Sequence, residues 1–329
     1  MTVNPWDEVV ASVAGASPAH DVAAVSDIFY CFRLLLGRPP SAEEWRGHCG
    51  TVGQSLRDVV TLYLQSLEFK NRRLLTTAMP AIEVVELPTF RMYVMSDDPL
   101  IGSTIAALRA YEPAVTRCIE ARLGPGMTFV DVGANVGYFS LLAASRVGPA
   151  GSVYAFEPSQ IDVKLLHLSR LLNGFENVEV FPVAAGRGWG LSFYDGAHSN
   201  GWVSPVSSSP EDVLSRTVVL SVPIGEVIPA DGRIDVIKID VEGAEFQALT
   251  GARRMLDRHH PAIVTEFSPP ALESISHVSG PQYLEFLTGL GYRLSVLTED
   301  GPIACGEDVQ HVMTLFDDSG VDHIDVLAE

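Results

Sequence analysis

Basic residues are scarce in this chain: 22 lysines and arginines stand against 41 aspartates and glutamates, a formal net charge of −19. Such a surplus of negative charge repels a phosphate backbone and an anionic membrane surface, so nucleic acid and membrane are poor partners. Cysteine is scarce as well. Cys31, Cys49, Cys118 and Cys305 are scattered and form no CxxC pair, which suggests neither a zinc site nor a disulfide framework and suits a reducing cytoplasm. No uncharged apolar run reaches the roughly 18 residues of a membrane span. The N-terminus, Met1-Thr-Val-Asn-Pro-Trp-Asp-Glu, lacks a basic start followed by an apolar stretch. A soluble, cytoplasmic, unexported protein is the expectation.

What is present is enough apolar material for real cores: 47% hydrophobic and 19% charged residues over a length of 329, which suits about two domains. Residues 1–78 read as helices with short breaks. Val25, Ile28, Phe29, Phe32, Leu35 and Leu36 recur at a helical period until Gly37 and Pro39-Pro40 stop it. Ser41 with Glu44 has the form of a capping box, and Leu56, Val59, Val60, Tyr63 and Leu64 make a second stripe, after which Ser66 can cap a last helix to Leu75.

From about residue 79 the pattern changes to strands alternating with helices. Thr128–Val132, Ser152–Phe156, Val178–Val183, Ile234–Ile239 and Ala262–Phe267 are short, nearly continuous apolar runs, as strands buried on both faces of a parallel sheet require. Amphipathic segments at Phe139–Arg146 and Val163–Leu172 supply right-handed crossovers. The expected fold is therefore α/β, a Rossmann-like doubly wound, mostly parallel sheet behind a small all-α N-terminal domain. Residues 186–216 interrupt the rhythm with Gly, Ser, Pro and aromatics, and read as a long loop placed to act as a lid over the sheet's carboxyl edge.

Chemistry concentrates at three strand ends. Phe129-Val-Asp-Val-Gly-Ala-Asn-Val-Gly-Tyr runs from a strand into a glycine turn and a helix, with Gly133 and Gly137 spaced unlike a dinucleotide fingerprint and Asp131 at the strand end. A carboxylate beside a pyrophosphate is unfavourable, whereas beside a sulfonium and an ammonium it is favourable; the chemistry points to S-adenosylmethionine. Val153-Tyr-Ala-Phe-Glu-Pro ends the next strand in Glu157, able to accept both hydroxyls of a ribose. Ile237-Lys-Ile-Asp-Val-Glu-Gly-Ala-Glu gathers Lys238, Asp240, Glu242 and Glu245, a charge density that needs cations or shared protons to be buried.

Together with Tyr111-Glu-Pro, these motifs resemble the FkbM family of S-adenosylmethionine-dependent methyltransferases over roughly residues 82–316. The resemblance implies a class I methyltransferase fold, a seven-stranded sheet whose final hairpin would use Tyr292–Leu297 and His311–Phe316. It places Asp131, Gly133, Asn135 and Gly137, with Tyr138, at the cofactor's methionine part, Glu157 with Pro158 and Ser159 at its ribose, Ala184 near its adenine, and Asp240 beside it. Leu35-Leu-Gly-Arg-Pro-Pro and Ser66-Leu-Glu-Phe-Lys-Asn-Arg resemble the small helical DUF4214-type modules attached to some bacterial carbohydrate-modifying enzymes. The pairing of such a module with an FkbM-like core is similar to aminoglycoside N-methyltransferases of antibiotic pathways.

The acceptor is the open question. An alcohol needs a base or a metal to become nucleophilic, while an amine deprotonates far more readily. Asp195 and Glu211-Asp212 in the lid, Asp240, Glu242 and Glu245 at one strand end and Glu266 at the next favour a cationic amino-sugar acceptor. In that reading Asp240, Glu242 and His198 are the catalytic candidates, and Tyr194, Asp195, Asn200, Trp202, Glu242, Glu245 and Glu266 the acceptor contacts. No His/Asp/Glu spacing forms a clear metal-ligand set. Sugar O-methylation and a non-catalytic cofactor-binding module are the alternatives, and self-association or docking to pathway enzymes through the helical module are the partner arrangements in view.

Overall fold

The computed structural model describes residues 21–72, 81–197, 200–206, 209–229 and 232–329. The chain divides into two compact units, residues 1–80 and 81–329. In the first unit the helix expected to run to Leu36 is α-helical only over Val25–Tyr30 and continues as a π-helix over Cys31–Leu35. Helices Ala42–His48, Leu56–Gln65 and Leu67–Arg72 follow. Ser41 caps as its spacing requires: its hydroxyl accepts from the Glu44 amide at 3.2 Å, and its own amide donates to the Glu44 carboxylate at 2.8 Å. Ser66 likewise accepts from the Phe69 amide. Ile28, Phe32, Trp45, Val59 and Tyr63 close a small core.

The second unit opens with a hairpin, β1 (Ile82–Glu86) and β2 (Arg91–Met95). Its main strands are β3 (Thr128–Val132), β4 (Ser152–Phe156) and β5 (Val178–Phe181). The chain then leaves the main sheet through β6 (Ala184–Ala185), β7 (Gly190–Ala197), β8 (Asn200–Pro205) and β9 (Thr217–Val222). It returns with β10 (Val236–Ile239), β11 (Ala262–Phe267), β12 (Leu294–Val296), β13 (Ile303–Gly306) and β14 (Ile324–Ala328). The main sheet runs β13-β12-β14-β11-β10-β3-β4-β5. The five strands from β11 to β5 are parallel, and β14 is antiparallel to both β11 and β12.

This is the expected α/β class I arrangement, with two corrections. The sheet has eight strands rather than seven, because β13 pairs antiparallel on the far edge of β12. Residues His311–Phe316 lie in a helix, Val309–Ser319, and β14 is the inserted antiparallel strand. The reason is the apolar period: Val309, Val312, Met313 and Phe316 face the core three and four residues apart, and Asp308 caps the helix by accepting from the His311 amide at 3.0 Å.

The segment expected as a long loop over 186–216 is also folded. β7 and β8 form a hairpin in a second sheet of order β6-β9-β7-β8, and helix Pro210–Ser215 connects β8 to β9. Apolar layers cover both faces of the main sheet. Phe129, Leu141, Ile119 and Leu165 pack on one side, and Val130, Ile237, Leu249 and Tyr283 on the other. β3 is followed outward by β4 and β5, whereas the chain later returns to β10 on its opposite side, so the carboxyl ends of β3 and β10 diverge into a crevice, where ligands bind in such sheets. Among the described residues no helix is long and apolar enough to cross a membrane.

Candidate active site

The cleft lies at those strand ends. β3 passes into a turn in which Gly133, Asn135 and Gly137 all take positive φ, and the amides of Gly133 and Ala134 both donate to the Phe156 carbonyl at 3.0 Å. A Cβ on Gly133 would land on the Asp240 carbonyl oxygen, and one on Gly137 would strike the Leu166 side chain. Gly133 and Asn135 line the cavity. Gly137 does not: it lets the following helix pack on its neighbour.

Around this turn, Tyr138, Glu157, Pro158, Ala184 and Ala185 form one end of the cavity. Glu157 accepts from the amides of Asn135 at 2.8 Å and Ser159 at 2.6 Å. Burial, with Asp162 nearby, pushes its carboxyl up to about 8. Ser159 itself is buried as the cap of helix Gln160–Asn173 and lies off the cavity wall. Asp131 differs from its expected position. It points from β3 toward the following helix, where one carboxylate oxygen accepts from the Ser140 hydroxyl at 2.6 Å and the other has no hydrogen-bond partner. It is fully buried beneath the wall, and that burial raises its carboxyl above the ordinary range.

The opposite end is acidic. Lys238 donates to Asp240 at 2.8 Å with its ammonium 4.8 Å from the Phe139 ring centre. Burial opposes its charge, but Asp240, Glu112 and Asp131 outweigh that and keep it protonated. For Asp240, burial alone would raise the carboxyl, and Lys238 reverses this and holds it below the usual range. Glu266 is pushed up to about 11 by burial and by the neighbouring charges of Asp240, Glu242 and Glu245, so it keeps its proton and shares a hydrogen bond with Asp240. Carboxylate oxygens of Asp240, Glu242 and Glu266 lie within 4.8 Å of one another. With Lys238 on one side of Asp240 and the Glu266 proton on the other, these three residues balance their charge among themselves, and Glu242 stands in addition to them. Glu245, expected as an acceptor contact, is instead buried off the cavity, where it accepts from the amides of Val241 at 3.0 Å and Gly243 at 3.1 Å and holds the turn after β10.

The β7–β8 hairpin covers the cleft with one face only. Tyr194, Gly201 and Val203 line the cavity; Tyr194 pairs with Val203, and Gly201 leaves room for its hydroxyl. Asp195 and Trp202 pair with each other one residue along, so the period-2 alternation sends them to the other face. Asp195 is bound there by Arg216, whose guanidinium lies 4.1 Å from the Phe193 ring centre, and Trp202 is 46% exposed. Neither lines the cavity. Asn200 begins β8, with its side chain outside what the structure describes, and His198 lies outside the described residues.

Sequence reasoning missed Leu100, Ile101, Tyr111, Glu112 and His323, all on the cavity wall. Glu112 and Tyr111 stood in a quoted motif, but no spacing tied them to the strand ends. His323 stands just before β14, a strand that the sequence pattern did not indicate.

Residues 131–294 match the family described as Methyltransferase FkbM domain. "Methyltransferase 1" of Beauveria bassiana (strain ARSEF 2860) is 26% identical over 168 residues, which cover 44% of this chain and 65% of that protein. Among solved structures, a methyltransferase FkbM from Methylobacillus flagellatus KT is 17% identical, covering 70% of this chain and 60% of its own, with a TM-score of 0.38. A SAM dependent methyltransferase from Aquifex aeolicus is 16% identical over 70% of this chain and 93% of its own, with a TM-score of 0.37. The chain thus spans about two thirds of the curated relative. The family match covers just under half of the chain, and S-adenosylmethionine is the cofactor to which the sequence motifs point. The donor set fits that group. Lys238 is the only lysine or arginine among the described lining residues, which is poor for a pyrophosphate, while Glu157 is placed to take ribose hydroxyls and the carboxylates suit a sulfonium and an ammonium.

Proposed function

From an FkbM methyltransferase domain with an acidic acceptor end, we propose that this protein is an S-adenosylmethionine-dependent methyltransferase that N-methylates an amino sugar of an aminoglycoside-type natural product. The observation that carries the reading is the composition of one cavity wall: Glu112 and Glu242 stand there in addition to Lys238, Asp240 and Glu266, whose own charges balance. A polycationic amino sugar complements that field, whereas a neutral sugar gains nothing from it.

Bound S-adenosylmethionine supplies an electrophilic methyl group on a sulfonium, which leaves as a neutral thioether. The protein's part is to hold the acceptor in line and to receive it unprotonated. Glu157, already oriented by the Asn135 and Ser159 amides, would take the ribose hydroxyls. Tyr138 and the Asn135 turn would border the methionine part, and Ala184 and Ala185 the adenine. Asp240, kept ionised by Lys238, would pair with an acceptor ammonium, and Glu266, kept protonated, would donate a hydrogen bond to a sugar oxygen. Tyr194, Gly201 and Val203 would cover the bound pair and exclude water.

The test is mass spectrometry of products after incubation with S-adenosylmethionine and a panel pairing aminoglycosides with neutral oligosaccharides, with and without a chelator. Methylated aminoglycoside, with fragmentation placing the methyl on nitrogen, is the expected result. Methylation confined to neutral sugars would replace the reading with hydroxyl transfer.

A further inference from the structure

Glu112 reaches the acceptor end from a part of the chain separate from both the glycine turn and the acidic strand end. It stands at the N-terminal boundary of helix Pro113–Arg122 with φ 39, a left-handed conformation unusual for a residue with a Cβ. Two features hold it there. Pro113 starts the helix with a preset φ, and the Glu112 carbonyl accepts the Thr116 amide at 2.9 Å. Strained backbone of this kind concentrates where a side chain must be aimed, and here the strained residue lines the cleft.

The groups that face Glu112 come from three parts of the chain: the adjacent Tyr111 hydroxyl, Lys238 on β10 with Asp240 immediately after it, and Asp325 on β14. Its neighbours are unsuited to accepting a proton near neutrality. Asp240 is an ion-pair partner of Lys238, and Glu266 already holds a proton. Glu112 is different: burial raises its carboxyl, Lys238 partly offsets this, and the balance falls at about 7. A general base works best when poised near the operating pH.

We propose that Glu112 is the base that removes the proton from the acceptor's ammonium group. The assignment rests on the amino-sugar methyltransferase reading above. In the step, the acceptor N–H bond breaks, its electron pair stays on nitrogen, and an O–H bond forms on the Glu112 carboxylate. The freed pair then attacks the methyl carbon as the carbon–sulfur pair departs on sulfur, leaving a methylammonium product and a protonated Glu112 that returns its proton to solvent. Asp240 is thereby an anchoring carboxylate rather than the base.

The test compares wild type, Glu112→Gln and Glu112→Asp in the full chain. With the methylated member of the aminoglycoside panel, wild-type kcat should fall about tenfold per pH unit on the acid side of about 7. Glu112→Gln should lower kcat by roughly 10²–10⁴-fold, leave the S-adenosylmethionine KM unchanged and abolish the acid limb, while Glu112→Asp restores part of both. An infrared titration with S-adenosylhomocysteine bound needs no acceptor: a carboxyl band present in wild type and absent in Glu112→Gln should titrate near neutrality. A Glu112→Gln enzyme with wild-type kcat or an intact acid limb overturns the proposal, and so does an infrared difference with no such band. Wild type that fails to bind S-adenosylhomocysteine would instead overturn the methyltransferase reading.

Discussion

Lys238→Met removes an ammonium from a wall of carboxylates while keeping much of the side chain's length. The wild-type lysine side chain is 6% exposed, its nitrogen is 2.8 Å from Asp240 and the Asp240 side chain is 24% exposed. Deleting one member of a buried pair leaves an uncompensated charge and costs about 3–5 kcal/mol. Because Asp240 keeps some contact with water, the lower end applies, about 3 kcal/mol of a total of roughly 5–15. At about 2–4 °C per kcal/mol for a unit of this size, the melting temperature should drop by roughly 6–12 °C. The loss should also depend on pH. Without the cation, the folded-state pKa values of Asp131, Asp240 and Glu112 all rise, since Lys238 lowers each of them. An acid whose folded pKa is raised withdraws stability as pH climbs through that value, so the deficit should be smallest on the acid side and grow through and above about 7. Urea unfolding of both proteins at mildly acid and mildly alkaline pH measures this. A deficit under about 1 kcal/mol, or one that shrinks as pH rises, would refute the buried-pair account.

Gly133→Ala should impair folding and cofactor binding together, because the added Cβ meets the Asp240 carbonyl at φ +80; about 1–3 kcal/mol of destabilisation is expected in thermal unfolding. Glu157→Gln, compared with wild type above about pH 8 where the carboxylate is ionised, should weaken S-adenosylhomocysteine binding by roughly 10–150-fold in calorimetry, the equivalent of a charge-assisted hydrogen bond of about 1.5–3 kcal/mol; unchanged affinity would remove Glu157 from the ribose site. Trp202→Ala should leave the acceptor KM within about twofold, since the ring lies on the hairpin face turned from the cavity, and a large rise would show that the hairpin rearranges around substrate.

Much of the cofactor end was legible because it is encoded locally. A strand buried on both faces leaves a continuous apolar run, and a turn with little room for a Cβ leaves glycine, so β3, β4, β10 and β11 and the cleft at their ends follow from short windows. Glu157 and Asp240 line the cavity because each stands immediately after a strand that ends there. Where windows misled, a second pattern overlapped the first. Residues 311–316 carry enough apolar side chains for a strand, yet Val309, Val312, Met313 and Phe316 keep a helical period and Asp308 supplies the cap.

From sequence alone, then, come the α/β class, the glycine turn, the acid after each strand and the surplus of negative charge, all properties of neighbouring residues. Tertiary structure alone decides which carboxylates reach the cleft. Asp131 and Glu245 are drawn inside as partners of Ser140 and of the turn amides, and Asp195 is taken by Arg216. Glu112, 128 residues before Asp240 in the chain, is brought to the same wall by packing. The physical reason is that a carboxylate's role depends on its burial and on the charges facing it, and those come from distant segments that no local spacing can specify.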